Sequence, residues 1–306
     1  MNIDDFRYIT TIADLGSFTG AAQKLFIAQP SLSQRVKYIE KTYGISIFSR
    51  NAKGVQLTEE GACFVKYAQA ILNSENDLRR EIADMHSFDN RILRIGTTQF
   101  ICSWFFDALI KRFYMEHPNV QLEISDGSST EQQEMLQAGK TDIAICYMPV
   151  VSKDLKYEVV FQDNYVLVPA KDGTLGERIA SAGLQNEPIP VPFLQDEVFA
   201  AAPAGTRLNT YVMSLQEKYD TQIDIQHFVK NYSMLYAIAE TGMASTILYE
   251  SFFDPGKTYM PYYYLDDESS ELQVAVMWRK GAYLQQEAKE LIRLAKEINA
   301  SPMNNS

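Results

Sequence analysis

The sequence predicts a multi-domain α+β protein: a small helical head closed by a hairpin, a long connecting helix, and a two-lobed α/β body. Three observations predict it. Helical periodicity dominates the first 88 residues, strands alternate with helices from residue 91 onward, and charge is divided unevenly between the two parts. The chain has 306 residues, 46% hydrophobic and 22% charged, which is enough to build two or three cores and argues against disorder as the main state. Its net charge of -11 hides a basic head: residues 1–58 hold seven basic groups against four acidic ones, net +3, so the remainder carries -14. A basic module on an acidic body points to an anion-binding head joined to something that must not stick to anions.

In residues 3–15, Ile3, Phe6, Ile9, Ile12 and Ala13 recur at helical spacing and Gly16 ends the helix. Ser17 is a fitting N-cap for a second helix over 18–25, where Ala21 and Ala22 allow close approach of another helix. A third helix begins at Gln29-Pro30, with proline in the first turn, and runs to Tyr43 before Gly44. Leu32, Val36 and Ile39 share one face of it; Gln29, Ser31, Ser33, Gln34 and Lys37 share the other. That polar face is either a solvated helix surface or a set of groups able to read base edges in a major groove. Residues 45–58 read as a hairpin whose turn, Arg50-Asn51-Ala52-Lys53-Gly54, carries two cations. Two helices, a tight turn and a basic hairpin make a winged helix-turn-helix. From Lys24 to Lys53 six basic residues face only Glu40, a composition suited to phosphate.

Thr58 caps the long helix, with Glu59 and Glu60 in its first turn. Phe64, Ala68, Ile71, Leu78, Ile82 and Met85 form an apolar seam interrupted by Glu75. The seam fits a helix-helix dimer; packing against the chain's own body is the alternative. The body then reads as strand 92–96, helix 100–117, strand 120–124, helix 130–137 and strand 143–146, a βαβαβ run that favours a parallel sheet. A middle stretch has strands at 165–168 and 244–248, and the chain ends with strand 272–278 and helix 282–298. The resulting division is 1–58, 59–88 and 89–300, with one lobe from 91–161 and 268–300 and the other from 162–267.

The start of the chain lacks the character of a signal peptide and no apolar run reaches membrane-spanning length, so a soluble, cytoplasmic protein is expected. Cys63, Cys102 and Cys146 are scattered and odd in number, which argues against a disulfide framework or zinc site. A redox role for Cys102 or Cys146 competes with the commoner buried thiol. With no Gly-rich phosphate loop, metal-ligand spacing or recognisable nucleophilic triad, neither an enzyme nor any cofactor or metal is expected.

Taken together, Ser17-Phe18-Thr19, Ala21-Ala22, Leu25, Gln29-Pro30-Ser31-Leu32-Ser33, Ile39-Glu40, Gly44, Phe48, Arg50, Leu57-Thr58 and Gly61 resemble the LysR-type transcriptional regulators. The body continues the likeness at Leu93-Arg94-Ile95-Gly96, Phe113, Pro118, Asp142-Ile143-Ala144 and Thr241-Gly242. Ala28 departs from the family's more frequent serine, Ala244 from a glycine and Tyr249 from a proline.

The resemblance implies a sequence-specific regulator, a homodimer or homotetramer on an interrupted inverted repeat of double-stranded DNA, with RNA polymerase as a further partner. On this reading Gln29, Ser31, Ser33 and Gln34 approach base edges, Pro30 adds apolar contact, and Arg35, Lys37, Arg50 and Lys53 serve the DNA-binding surface, Arg35, Arg50 and Lys53 through phosphates or the minor groove. It also implies a periplasmic-binding-protein-like, two-lobed effector domain. A small-molecule effector, for which a small anion is the expected chemistry, would meet Thr97, Thr98, Gln99, Ser128 and Tyr147 from one lobe and Thr206 and Arg207 from the other. The alternative is an effector-independent DNA-binding regulator whose pocket is empty or plugged by a side chain such as Tyr147. A transport binding protein shares the two-lobed body but not the basic head.

Overall fold

The computed structural model describes residues 1–51, 54–85, 91–98, 103–254 and 257–300. The head consists of α1 (Ile3–Leu15), α2 (Phe18–Lys24), α3 (Gln29–Tyr43), and the antiparallel wing β1 (Phe48–Asn51) and β2 (Gly54–Leu57). Its core is small: Ile9, Ile12, Ala21, Ala22, Leu32, Val36, Ile39 and Ile47 are buried together. The alanines of α2 let α1 and α3 close over it.

One carboxylate ties this head together. Asp5 accepts the Asn2 N–H at 2.8 Å to complete a capping box, and also takes Arg35 Nε and, at 2.7 Å, Arg35 Nη2 from α3. The Asp5 side chain is fully buried. Burial pushes its carboxyl up, but hydrogen bonds from Arg35 and the Asn2 N–H, with the guanidinium charge, outweigh this and hold it below its ordinary value of 3.8. From the other end of α3, Glu40 accepts the Ile47 N–H at 2.8 Å and so fixes the approach to the wing.

The long helix α4 (Glu59–Met85) starts where Thr58 Oγ1 accepts the Gly61 N–H at 2.9 Å. A Cβ on Gly61 would collide with the Ile47 carbonyl, so glycine is what lets α4 leave the wing at this angle. No described helix is long and apolar enough to cross a membrane.

The body holds two copies of one topology. The first is β3 (Arg91–Thr98), α5 (Ser103–Glu116), β4 (Val120–Gly127), α6 (Ser129–Gln137) and β5 (Ile143–Tyr147), with parallel order β4-β3-β5. The long strand β6 (Leu155–Val168) then carries the chain into the second lobe, followed by α7 (Thr174–Ser181). That lobe repeats the pattern in β7 (Val198–Ala201), α8 (Arg207–Tyr219), β8 (Asp224–Phe228), α9 (Tyr232–Glu240) and β9 (Ser245–Tyr249), with order β8-β7-β9. β10 (Tyr263–Tyr264) pairs with the end of β6, and β11 (Glu271–Arg279) returns antiparallel between β5 and β6 before α10 (Gln286–Ala300).

The predicted strand at 165–168 is thus only the end of β6, whose earlier part pairs with β11. The predicted final helix begins later, at Gln286, after a left-handed turn at Gly281 (φ 79°). Of the predicted helix at 100–117, residues 100–102 lie outside the described residues and the rest is α5.

Asp5→Ala is expected to lower the melting temperature of the chain at neutral pH. Because the Asp5 carboxyl is depressed on folding, its stabilisation is complete above 3.8 and fades as pH falls through the lowered folded value. Melting curves of the two proteins should therefore converge in acid; a gap that widened there would contradict the assigned pair.

Candidate functional site

On α3, Leu32, Val36 and Ile39 face the core and leave Pro30, Ser31, Gln34 and Lys37 exposed, with Gln29 and Ser33 half-buried. Gln29 Nε2 donates to Ser33 Oγ at 3.0 Å, one helical turn on, so this pair is pre-set while the Gln29 carbonyl oxygen stays available. Ala28 provides no side-chain cap for α3. Arg35 is placed differently from its neighbours. Two of its three guanidinium nitrogens, Nε and Nη2, are engaged by Asp5, and its carbon lies 4.8 Å from the Tyr38 ring centre. Arg50 lies on β1, but its side chain and all of Lys53 lie outside the described residues.

In the body, the carboxyl ends of the first two strands of each lobe form the place where an open α/β sheet holds a ligand. Thr97 and Thr98 end β3, beside Gly127 at the end of β4, and Ser128 follows. Gln99 lies outside the described residues. Thr206 and Arg207 stand at the matching place in the second lobe, between β7 and α8. Ser128 and Thr206 are both occupied as caps: Ser128 Oγ accepts the Glu131 N–H at 3.2 Å and Thr206 Oγ1 accepts the Asn209 N–H at 3.2 Å. Thr98 and Arg207 are not. Thr98 Oγ1 is buried without a hydrogen-bond partner, and Arg207, half-buried, has no ion pair among the described residues. The Arg207 charge reaches Cys146 on β5 and Tyr165 on β6. Lys230, after β8, acts in the same way on Glu131 in α6, whose carboxyl is lowered first by its Ser128 hydrogen bonds and then by Lys230. Sequence reading missed Lys230, because its position is marked only by the repeated βαβαβ order.

Tyr147 belongs to the joint between the lobes. It is 2% exposed, donates its hydroxyl to Asp163 Oδ2 at 2.6 Å, and stacks on Tyr249 with ring centres 4.8 Å apart. Asp163, on β6, also accepts the Ser251 N–H at 3.0 Å and its hydroxyl at 2.6 Å, so one carboxylate connects β5 to the segment after β9. Burial raises this carboxyl above its ordinary value, with the Ser251 and Tyr147 hydrogen bonds opposing.

The head is coupled to the body through α4. Gln69 Nε2 donates to the Ala138 carbonyl at 2.7 Å and Asn73 Nδ2 to the Gln137 carbonyl at 2.9 Å, satisfying acceptors at the C-terminal end of α6. Gly139, with φ 66°, follows; a Cβ there would collide with Asn73 Oδ1. Further along α4, Arg80 pairs with Asp142 and Asp77 with Arg279 at 2.9 Å. The opposite side of α4 is uncovered. Phe6, Tyr43, Ile45, Phe64 and Tyr67 line an apolar groove of about 600 Å³, and Leu78, Ile82 and Met85 are 56%, 46% and 71% exposed.

Glu116, His117 and Glu290 have ligating atoms close together, but Arg293 pairs with Glu116 at 2.8 Å and with Glu290 at 2.7 Å, which sets a cation where a metal would sit. Cys146 is buried and its thiol pushed up to about 12, far from a reactive thiolate. Cys102 lies outside the described residues.

Residues 3–62 match the model of the bacterial regulatory helix-turn-helix proteins of the lysR family, and residues 87–300 match the LysR substrate binding domain. The chain belongs to the LysR family. Among curated members, the HTH-type transcriptional regulator YcgK of Bacillus subtilis is 31% identical over 172 residues, 56% of this chain and 53% of that protein. In that alignment the chain spans about half the length of the relative; BsdA of the same organism aligns over 96% of this chain and 100% of its own length at 24% identity. A full-length OxyR variant from Pseudomonas aeruginosa shares the fold with a TM-score of 0.69 at 22% identity, covering 97% of this chain and 94% of that one. CbnR complexed with its target DNA does so with a TM-score of 0.57 at 17% identity, covering 96% and 100%.

Three substitutions, in the body of this LysR-family chain and in the helix docked on it, have expected outcomes. Thr98→Val removes a buried hydroxyl that has no partner among the described residues and should leave the melting temperature of the free protein unchanged or raised; a clear fall would mean that the hydroxyl is bonded. Asn73→Ala strips the Gln137 carbonyl of its donor and should destabilise the chain by about 1–3 kcal/mol in chemical denaturation, and Gly139→Ala should weaken the same joint. Unchanged denaturation in both would contradict a docked α4.

Proposed function

We propose that this chain is a sequence-specific DNA-binding transcriptional regulator whose activity is set by a small-molecule effector held between the lobes of its body. The reading rests on the combination, in one chain, of an exposed polar helix face on a basic head and a two-lobed body coupled to it by α4. Gln29, Ser31, Ser33 and Gln34 approach base edges, with Pro30 as an apolar neighbour. Lys37, Arg50 and Lys53 serve the backbone phosphates, and Arg35 reaches them only through Nη1, its remaining nitrogens being held by Asp5.

The effector is a small anion. Arg207 supplies a charge and Thr98 a hydroxyl, one from each lobe, neither of them paired among the described residues. Ser128 and Thr206 frame the position through the helices they cap, whereas Tyr147 acts on the lobe joint. A second copy of the chain covers the apolar groove and the exposed seam of α4, which places two heads on an interrupted inverted repeat. Further pairing into a tetramer, contact with RNA polymerase and a cytoplasmic location complete the proposal.

Binding of the full chain to its own upstream DNA, compared with a shuffled duplex across a salt series, tests this. Lys37→Ala should weaken both duplexes alike and reduce the salt slope by about 1. Gln34→Ala should instead narrow the gap between the two duplexes. Equal affinity of the native chain for both duplexes would defeat the reading.

A further inference from the structure

The turn between α2 and α3 holds an aromatic ring with no partner among the described residues. Phe26 is 95% exposed, although Leu25 and Ile27 on either side pack into the head's core. Its backbone is left-handed, with φ 55°, a region that bulky residues enter reluctantly and glycine or asparagine freely. The turn does not need the ring. The Ile27 N–H donates to the Ala22 carbonyl at 3.0 Å and the Phe26 N–H to that of Gln23 at 3.2 Å, two backbone bonds that close a helix whatever side chain the left-handed residue carries. Glycine would serve the backbone better and any polar residue would serve solubility better.

The surroundings of the ring supply a reason for it. Phe26 stands two residues before Ala28, the uncapped start of α3, and so at the leading edge of the face formed by Gln29, Pro30 and Ser31. Lys24 is exposed two residues earlier, and no acidic residue occurs between Asp14 and Glu40. An apolar ring in a cationic and polar surface complements DNA, and it is continuous with the proposed base-reading face. Along the base edges of a major groove, the apolar group on offer is the 5-methyl of thymine.

We propose that Phe26 is a specificity-determining residue of the DNA interface, its ring packing on the 5-methyl of a thymine beside the base pairs approached by Gln29 and Ser31. This rests on the DNA-binding reading above.

Phe26→Gly removes the ring while relaxing the backbone, so the variant should melt at or above the temperature of the native chain. Its affinity for the upstream duplex, measured by fluorescence anisotropy on full-length protein, should fall roughly tenfold, as expected when an apolar group is removed from the interface at each of two half-sites. On the same duplex with every thymine replaced by deoxyuracil, the ratio between native and variant affinities should collapse toward one. Equal affinities on the thymine duplex would overturn the proposal, as would a ratio that survives removal of the methyls. A changed sedimentation coefficient of the free variant would assign the ring to an interface between copies and overturn it too. A native chain that does not distinguish the upstream duplex from a shuffled one would fail at the earlier step, the DNA-binding reading itself, and would take this assignment with it.

Discussion

The joint between α4 and the end of α6 is the contact on which the arrangement of this molecule depends. A helix leaves its last carbonyls without internal partners, and here the amides of Gln69 and Asn73 provide the donors. Asn73 is buried, so a missing partner cannot be replaced freely by water. The joint works because Gly139 has no side chain to obstruct it and because Arg80 and Asp77 extend it to Asp142 and Arg279. The other end of α6 is the Ser128 capping box at the cleft. A helix of 9 residues, about 13 Å long at roughly 1.5 Å per residue, therefore runs from the proposed effector position to the helix that carries the head. A ligand that prefers one lobe arrangement could bias the head only through such a physical link.

Charge is arranged to suit the two ends of this device. On the proposed reading, the acidic body would repel a polyanion while the exposed cations of the head attract it. Arg35 shows the limit of counting: its charge contributes to the basic total, yet two of its nitrogens are committed to holding α1 to α3 through Asp5. In the body the reverse holds, since Arg207 and Lys230 are cations in an acidic domain, reaching groups in and beside the opposite lobe.

Much of the head was legible in the sequence because short helices around a tiny core must show sharp amphipathic periodicity. The bounds of α1 and α3 follow from Gly16 and Gly44, and Leu32, Val36 and Ile39 are buried as their spacing requires. The apolar seam of α4 was visible as a pattern, but it divides in the structure: Ala68 is buried and Phe64 packs against the head's own core, while Ile71, Leu78, Ile82 and Met85 are exposed in the single chain. Less of the body could be read. β6 runs through 14 residues whose buried faces change as it passes from one sheet to the next, so no single alternation marks it. β7 and β8 are short and take their identity from parallel pairing with distant segments. The Asp5 to Arg35 pair, the Asn73 joint and the Tyr147 to Asp163 bond all bring together residues well separated in sequence, and local pattern carries no signal for them. Thr98 and Arg207 stood out by residue type and strand position, but that neither is paired among the described residues is a property of the fold.

Coupling between head and body is most directly tested by hydrogen exchange on the full chain, free and bound to its upstream DNA. Linkage requires that a joint able to transmit an effector's influence to the head also transmits DNA binding back to the body. The account predicts altered protection at residues 134–142, where α6 ends against α4, in addition to protection in the head. Changes confined to residues 1–58, with the end of α6 exchanging at the same rate in both states, would contradict it.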